Sequence, residues 1–263
     1  MAFEISLKTL IESGAHFGHQ SKRWNPKMAP YLYGVKEGIH VFDLTKTKDC
    51  LDESLNVLKD ASYAGKKILL VGTKKQIKEK VIEIAKEVGI FYISERWLGG
   101  TLTNFDQIKA STRRLNDLRE GVSAGKFKGR TKKERLLIER DIARLERFFS
   151  GIEGMEAIPD IMFIVDVRRE KTAVKEAQIK GVTTIGIVDS NSDPTVVDYP
   201  IPMNDDASRA LEYVLDLVKD AILEGRGIKK TVRKVTKRVV KSKVKKGSSK
   251  KDTGSKNTQN AIK

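Results

Sequence analysis

Short apolar runs alternate along this chain with longer stretches whose apolar residues return every three or four positions. Residues 67–72 (KILLVG) read as a buried strand. Thr73 stands where it could cap a following helix, in which Ile77, Val81, Ile84, Ala85 and Val88 share one face and Gly89 marks the end. Residues 158–167 (IPDIMFIVDV) predict a second strand, followed by a helix over about 170–180 that stops at Gly181. Residues 182–189 (VTTIGIVD) predict a third strand, and a last helix over about 206–223 turns Ala210, Leu211, Val214, Leu217, Val218 and Ile222 inward. Strands that are apolar throughout need cover on both faces, and the intervening helices supply it. The pattern therefore predicts an α/β domain with an open parallel sheet in three layers, built from residues 1–105 and 150–225.

Between those halves the period changes. Over about 104–122 the apolar residues are Ile108, Leu115, Leu118 and Val122, and over about 131–152 they are Ile138, Ile142, Leu145, Phe149 and Ile152. Heptad-like spacing on two segments, joined by a turn containing Gly121, Gly125 and Gly129, predicts an inserted helical hairpin of coiled-coil type over 106–149. An arm of this length would reach roughly 28 Å at 1.5 Å per residue. Its tip, KFKGRTKKER (126–135), holds six bases and one acid.

Charge sharpens this division. The chain has 51 Lys and Arg against 35 Asp and Glu, a formal charge of +16. From Arg226 onward there are 15 bases and one acid, Asp252, so residues 226–263 carry +14 and the first 225 residues only +2. A Lys-rich segment without large apolar groups is expected to be disordered when free, and to steer association with a polyanion at long range. The single cysteine, Cys50, excludes an intramolecular disulfide and a cysteine-built zinc cage, which fits a reducing cytosol. The first residues lack the pattern of a signal peptide, and no apolar run approaches bilayer length.

The chemistry concentrates in GAHFGHQSKRWNPKMAPYLYG (14–34), which reads as a long Gly/Pro-rich loop. It interleaves Lys22, Arg23 and Lys27 with Phe17, Trp24, Tyr31 and Tyr33. Bases neutralise phosphates and flat rings stack on nucleobases, so the mixture points to RNA in preference to the alternative that the rings are only core anchors. His16 and His19 would hold a metal only if a carboxylate such as Asp189 or Asp205 joined them, and no metal site is assigned. VGTKK (71–75) ends a strand but lacks the phosphate-loop pattern, and no GxGxxG occurs. The acids of 189–207 follow a strand, where α/β active sites lie, yet Asp193 before Pro194 suits a turn, and Asp205 or Asp206 suits a helix cap. No serine or cysteine has a clear base partner, so no catalytic residue and no cofactor is assigned.

Four blocks carry a resemblance: GAHFGHQSKRWNPKM (14–28), GIHVFDLTKT (38–47), ERWLGGTLTNF (95–105) and DSNSDPTVVDYPIPMNDDASRA (189–210). Together with PDIMFIVDVRREKTAVKEA (159–177), they closely resemble the family of the second protein of the bacterial small ribosomal subunit, in order over roughly 3–224. The resemblance implies a flavodoxin-like domain with a protruding helical hairpin, and a non-catalytic role bridging head and body on the solvent side of the small subunit. It implies small-subunit rRNA of the 16S type and neighbouring ribosomal proteins as partners, among them the large mRNA-binding first protein, with no membrane and no small-molecule substrate. On this view Lys22, Arg23, Trp24, Asn25 and Lys27, the Arg96–Trp97 turn, and Lys126, Lys128, Arg130, Lys132 and Lys133 at the hairpin tip meet the RNA. Two other classes stay open on the residues alone: an α/β enzyme acting on a phosphorylated metabolite, and an RNA-binding regulator working off the ribosome. The Lys-rich extension is an addition that the resemblance does not cover.

Overall fold

The computed structural model describes residues 3–227. Its elements, in chain order, begin with α1 (Leu7–Glu12), β1 (Phe17–Gln20), β2 (Leu32–Lys36), β3 (Ile39–Phe42) and α2 (Leu44–Tyr63). There follow β4 (Ile68–Val71), α3 (Lys78–Val88), β5 (Phe91–Ile93), α4 (Phe105–Ser123) and α5 (Lys132–Phe149). The last are β6 (Ile161–Ile164), α6 (Lys171–Lys180), β7 (Thr183–Val188), β8 (Tyr199–Pro202) and α7 (Ser208–Gly225).

Five strands form one parallel sheet in the order β5-β4-β6-β7-β8. Counted from its own first strand this is 2-1-3-4-5, the order of flavodoxin-like doubly wound sheets, whose topological switch point lies between β4 and β6. Strand side chains alternate between faces. Ile68 and Leu70 of β4 enter a core with α2, α3 and α7, while Leu69 and Val71 enter a second core that includes residues of α6 and the roots of α4 and α5. Both faces of the sheet are thus covered, as its apolar strands required. Pro200 and Pro202 lie in β8, at the sheet edge, where a missing N–H costs no ladder bond.

Glycine ends two of the helices as expected: Gly89 and Gly181 adopt φ of 68° and 67°, the left-handed region closed to most side chains. The starts of two helices depart from expectation. Helix α3 begins at Lys78 after Ile77, with no side-chain cap, and the Thr73 hydroxyl donates instead to Glu170. Helix α7 follows Ala207, again without a side-chain cap, because Asp205 and Asp206 both face Lys74. In each case a partner distant in sequence competes for the polar group and wins.

The stretch 14–34 is not one loop. It contributes β1 and β2 to a small antiparallel sheet of order β1-β3-β2, with a 3-10 turn over Pro26–Tyr31 between them. Glu37 and Gly38, both at positive φ (52° and 77°), close the β2–β3 turn, a geometry that suits the right-handed twist of a two-residue hairpin.

Helices α4 and α5 pack on each other around Leu115, with Ile142, Leu145 and Phe149 also in the apolar contact at their roots. Arg114–Asp141 (3.0 Å) and Arg119–Glu146 (2.8 Å) link them. Thr131 and Glu134 form a reciprocal capping box that starts α5. Val122, expected inside, is 48% exposed; the ring that covers this end is Phe127, which approaches Gly121 so closely that a Cβ there would lie 2.7 Å from it. Arg226, expected to open the basic tail, belongs to the body, where its guanidinium donates to the carbonyls of Val88 and Gly89 at the end of α3. The remaining expectation for the tail lies outside the described residues.

Candidate nucleic-acid interface

The small sheet is fastened to the segment that follows β7. Ser190 is the hub: its carbonyl accepts from Asn25 N (2.7 Å) and its hydroxyl oxygen from His19 N (2.7 Å). Gly18 is required beside it, since a Cβ would stand 2.8 Å from Ser190 Oγ and 3.0 Å from His40 O. The Asn25 side chain accepts from Lys27 N, and Lys27 Nζ pairs with Asp193 (2.6 Å) and donates to Thr195 Oγ1 (3.1 Å). Trp24 is 37% exposed and stacks on buried His40, with ring centroids 4.8 Å apart. These anchors leave Lys22 and Arg23 exposed on a held turn, with no acidic partner among the described residues.

Behind this turn lies a buried ionic cluster at the carboxyl ends of the strands. Lys74 Nζ, beyond β4, reaches Asp166 (3.1 Å), Asp205 (2.7 Å) and Asp206 (2.8 Å), and donates to the Asp205 carbonyl (2.6 Å). Burial alone would lower the Lys74 pKa, but bonds to Asp205 and Asp206 and the surrounding negative charge raise it well above its ordinary value. Asp205 moves up too, pushed first by burial and then by the charges of Asp166 and Asp189. His19 Nδ1 lies 2.9 Å from Asp189 Oδ1, a hydrogen bond that raises the imidazole pKa despite partial burial. The acids that suggested an active site are therefore engaged with Lys74, His19 and backbone amides. His16 packs its ring on Phe17, and no group of three or more metal-ligating side chains is assembled among the described residues.

The Arg96–Trp97 turn separates into two parts. Arg96 is exposed and has no acidic partner among the described residues, whereas Trp97 is only 6% exposed and donates its indole N–H to Glu176 Oε1 (3.1 Å). Trp97 is thus a core residue and is withdrawn from the set open to an RNA base. At the hairpin tip Lys126, Lys128, Arg130, Lys132 and Lys133 are all exposed, with Arg130 near Glu134 (3.7 Å) and 5.9 Å above the Phe127 ring.

A family model described as Ribosomal protein S2 matches residues 10–225. A small ribosomal subunit protein uS2 from Nitratiruptor sp. is 45% identical over 226 residues, covering 86% of this chain and 85% of that protein. Those of Roseiflexus sp. (44% over 229 residues; 87% of each chain) and Petrotoga mobilis (46% over 222; 84% of this chain, 77% of that one) are similar to the same extent. The chain belongs to the ribosomal protein S2 family. A member of that family is a structural component of the small ribosomal subunit in the cytoplasm, and not an enzyme. Among the described residues no helix is long and apolar enough to cross a membrane.

For a member of the S2 family the fold also assembles bases that composition and spacing did not single out. Arg168 and Arg169 leave the end of β6, Arg147 comes from the last turn of α5, and all three surround the switch point. A cleft of about 580 Å³ is lined by Thr73, Arg96, Arg147 and Arg169 among others. A second, of about 660 Å³, is lined by Arg23, Arg168, Arg169 and the Lys74 cluster. The only local signal was the RRE triplet after an apolar run, which is indistinguishable from an ordinary solvated helix start.

Proposed function

We propose that this chain is a structural constituent of the small ribosomal subunit that binds 16S-type rRNA at the head–body junction and helps to dock the large mRNA-binding first protein of that subunit. Membership of the S2 family supports residence in the subunit. The observation that supports the RNA contact is the turn holding Lys22 and Arg23, which is pinned through Ser190 yet gives neither charge an acidic partner among the described residues. A held turn has already given up its conformational freedom, so less entropy opposes binding. Trp24, Asn25, Lys27, Arg96 and the tip bases Lys126, Lys128, Arg130, Lys132 and Lys133 complete the interface. In this reading residues 106–149 act as a protruding coiled-coil arm on a body made of 1–105 and 150–225, and partners are rRNA and neighbouring subunit proteins.

Sucrose-gradient sedimentation of the tagged chain from a native lysate, washed at moderate salt, tests residence. Stable comigration with small subunits is expected; recovery only as free protein would refute it, and would favour a regulator working off the ribosome. For the turn, Lys22→Ala with Arg23→Ala should weaken binding irrespective of RNA sequence and flatten the salt slope by about one unit for each phosphate no longer neutralised. An unchanged slope would remove these two residues from the interface.

A further inference from the structure

We propose that the two adjoining clefts at the switch point between β4 and β6, which share Arg169, together form a second RNA site that grips phosphodiester groups, with Arg169 as a fixed fork and Arg96 and Arg168 as cations on either side of it. The inference rests on the ribosomal reading above and extends it to residues outside the turn and the hairpin.

Position is the first argument. Ligands of open α/β sheets bind beyond the carboxyl ends of the strands where the strand order reverses, and here that place is flanked by Thr73 and Lys74 after β4 and by Asp166 to Glu170 after β6. Both clefts open there, and Arg169 lines both.

Charge is the second. The acids around the site already have partners: Asp166 and Asp205 face Lys74, Glu170 accepts from Thr73 and lies 3.9 Å from Arg169 Nε, and Glu95 is paired with Lys78 and Arg147. Arg96 and Arg168, with Arg23 at the edge, make no ion pair among the described residues, so their charge is available to an anion.

The third is preorganisation. Arg169 Nε donates to Thr73 Oγ1 (2.9 Å), and Thr73 in turn donates to Glu170. One edge of the guanidinium is thereby held while its terminal nitrogens make no hydrogen bond among the described residues, the arrangement that favours a two-pronged grip on phosphate. The aromatic surroundings argue for backbone rather than base recognition. Trp97 is turned into the core and Phe148 carries the Arg147 guanidinium 5.8 Å above its ring. A cleft offering arginine forks and hydroxyls, without an open ring, reads phosphate.

The test adds the full chain back to small subunits stripped of it by high salt, and follows rebinding by sedimentation across a KCl series. The double variant Arg96→Gln/Arg168→Gln removes side chains that hold no ion pair among the described residues. It should rebind roughly tenfold more weakly and with a salt slope lower by about 1.4–1.8, for two phosphates at 0.7–0.9 each. Arg169→Gln should act in the same direction, and Arg169→Lys, which keeps the charge without the fork, should fall between. Lys66→Gln/Lys180→Gln, on exposed bases outside the cleft, should match the parent. If the parent rebinds and Arg96→Gln/Arg168→Gln keeps its slope, the cleft proposal fails while subunit residence stands. If the parent does not rebind at all, the ribosomal reading fails and takes this inference with it. Saturable thermal stabilisation of the free chain by pyrophosphate at constant ionic strength, abolished in the double variant, would overturn the RNA assignment in favour of a soluble phosphate ligand.

Discussion

Removing the Glu176 carboxylate should be among the most damaging single changes to the body of this protein. Glu176 lies within α6 and is 5% exposed, yet its two oxygens organise the segment leading into α4. Oε1 accepts from Trp97 Nε1 (3.1 Å) and Gly100 N (2.8 Å), and Oε2 from Leu102 N (2.8 Å), Thr103 N (3.1 Å) and Thr103 Oγ1 (3.2 Å). In Glu176→Ala the Gly100 and Thr103 donors, which lie closer to solvent, can turn to water. Trp97 Nε1 and Leu102 N are buried and cannot, and each orphaned buried donor costs about 1–3 kcal/mol. The expected loss is therefore roughly 2–6 kcal/mol, or about 5–20 °C in Tm for a folded body of this size. Glu176→Gln is the sharper probe. Each oxygen serves at least two donors, so replacing either by NH2 sets donor against donor, and the expected loss still exceeds about 2 kcal/mol. Urea unfolding followed by circular dichroism measures it; a Gln variant within about 0.5 kcal/mol of the parent would refute the reasoning. Burial pushes the Glu176 pKa up, but the bonds from Leu102, Trp97, Gly100 and Thr103 outweigh it and hold the group below its ordinary value. Its contribution is thus complete above the unfolded pKa of about 4.3 and is lost as pH falls through the lower folded value.

Two further outcomes follow from the ionic cluster. Lys74→Met leaves Asp166 and Asp205 buried without their cation and should destabilise by about 3–5 kcal/mol; adding Asp205→Asn should restore part of that loss, as read by the same urea unfolding. The folded pKa of His19 is raised, so its stabilisation is full below the unfolded value of about 6.5 and fades as pH rises through the folded one. His19→Gln should accordingly cost more stability at pH 5.5 than at pH 8.5, and an equal cost at both would show that the Asp189 pair carries no charge.

What could be read directly from the chain was whatever depends on local periodicity. The β4, β6 and β7 runs and the inward faces of α3 and α7 were legible because burial on both sides of a parallel sheet forces apolar residues at every strand position and every third or fourth helix position. Gly89 and Gly181 were legible because few other residues tolerate φ near +70°. The small sheet was not. Its strands are four or five residues long, β2 is mostly exposed, and in β3 a histidine is buried while Ile39 is exposed, so the residue types show no apolar–polar alternation to mark it. The exposed bases Lys22, Arg23 and those of the hairpin tip could be named from composition, since solvated charge needs no partner, whereas Arg96 entered only through the family resemblance.

Polar groups that find distant partners were decided only by the tertiary structure. Thr73 and Asp205 look like helix caps in sequence because the cap is their nearest available use. In the folded chain Glu170 and Lys74 claim them across 97 and 131 residues, since a buried ion or hydroxyl gains more from a charged partner than from one exposed amide. Trp97 looked like an RNA contact until Glu176, 79 residues away, drew its N–H into the core. Arg96, Arg147, Arg168 and Arg169 line adjoining clefts because the sheet reverses its strand order there, and strand order is a property of the whole fold. Periodicity determined which residues are inside, and topology decided which charges meet.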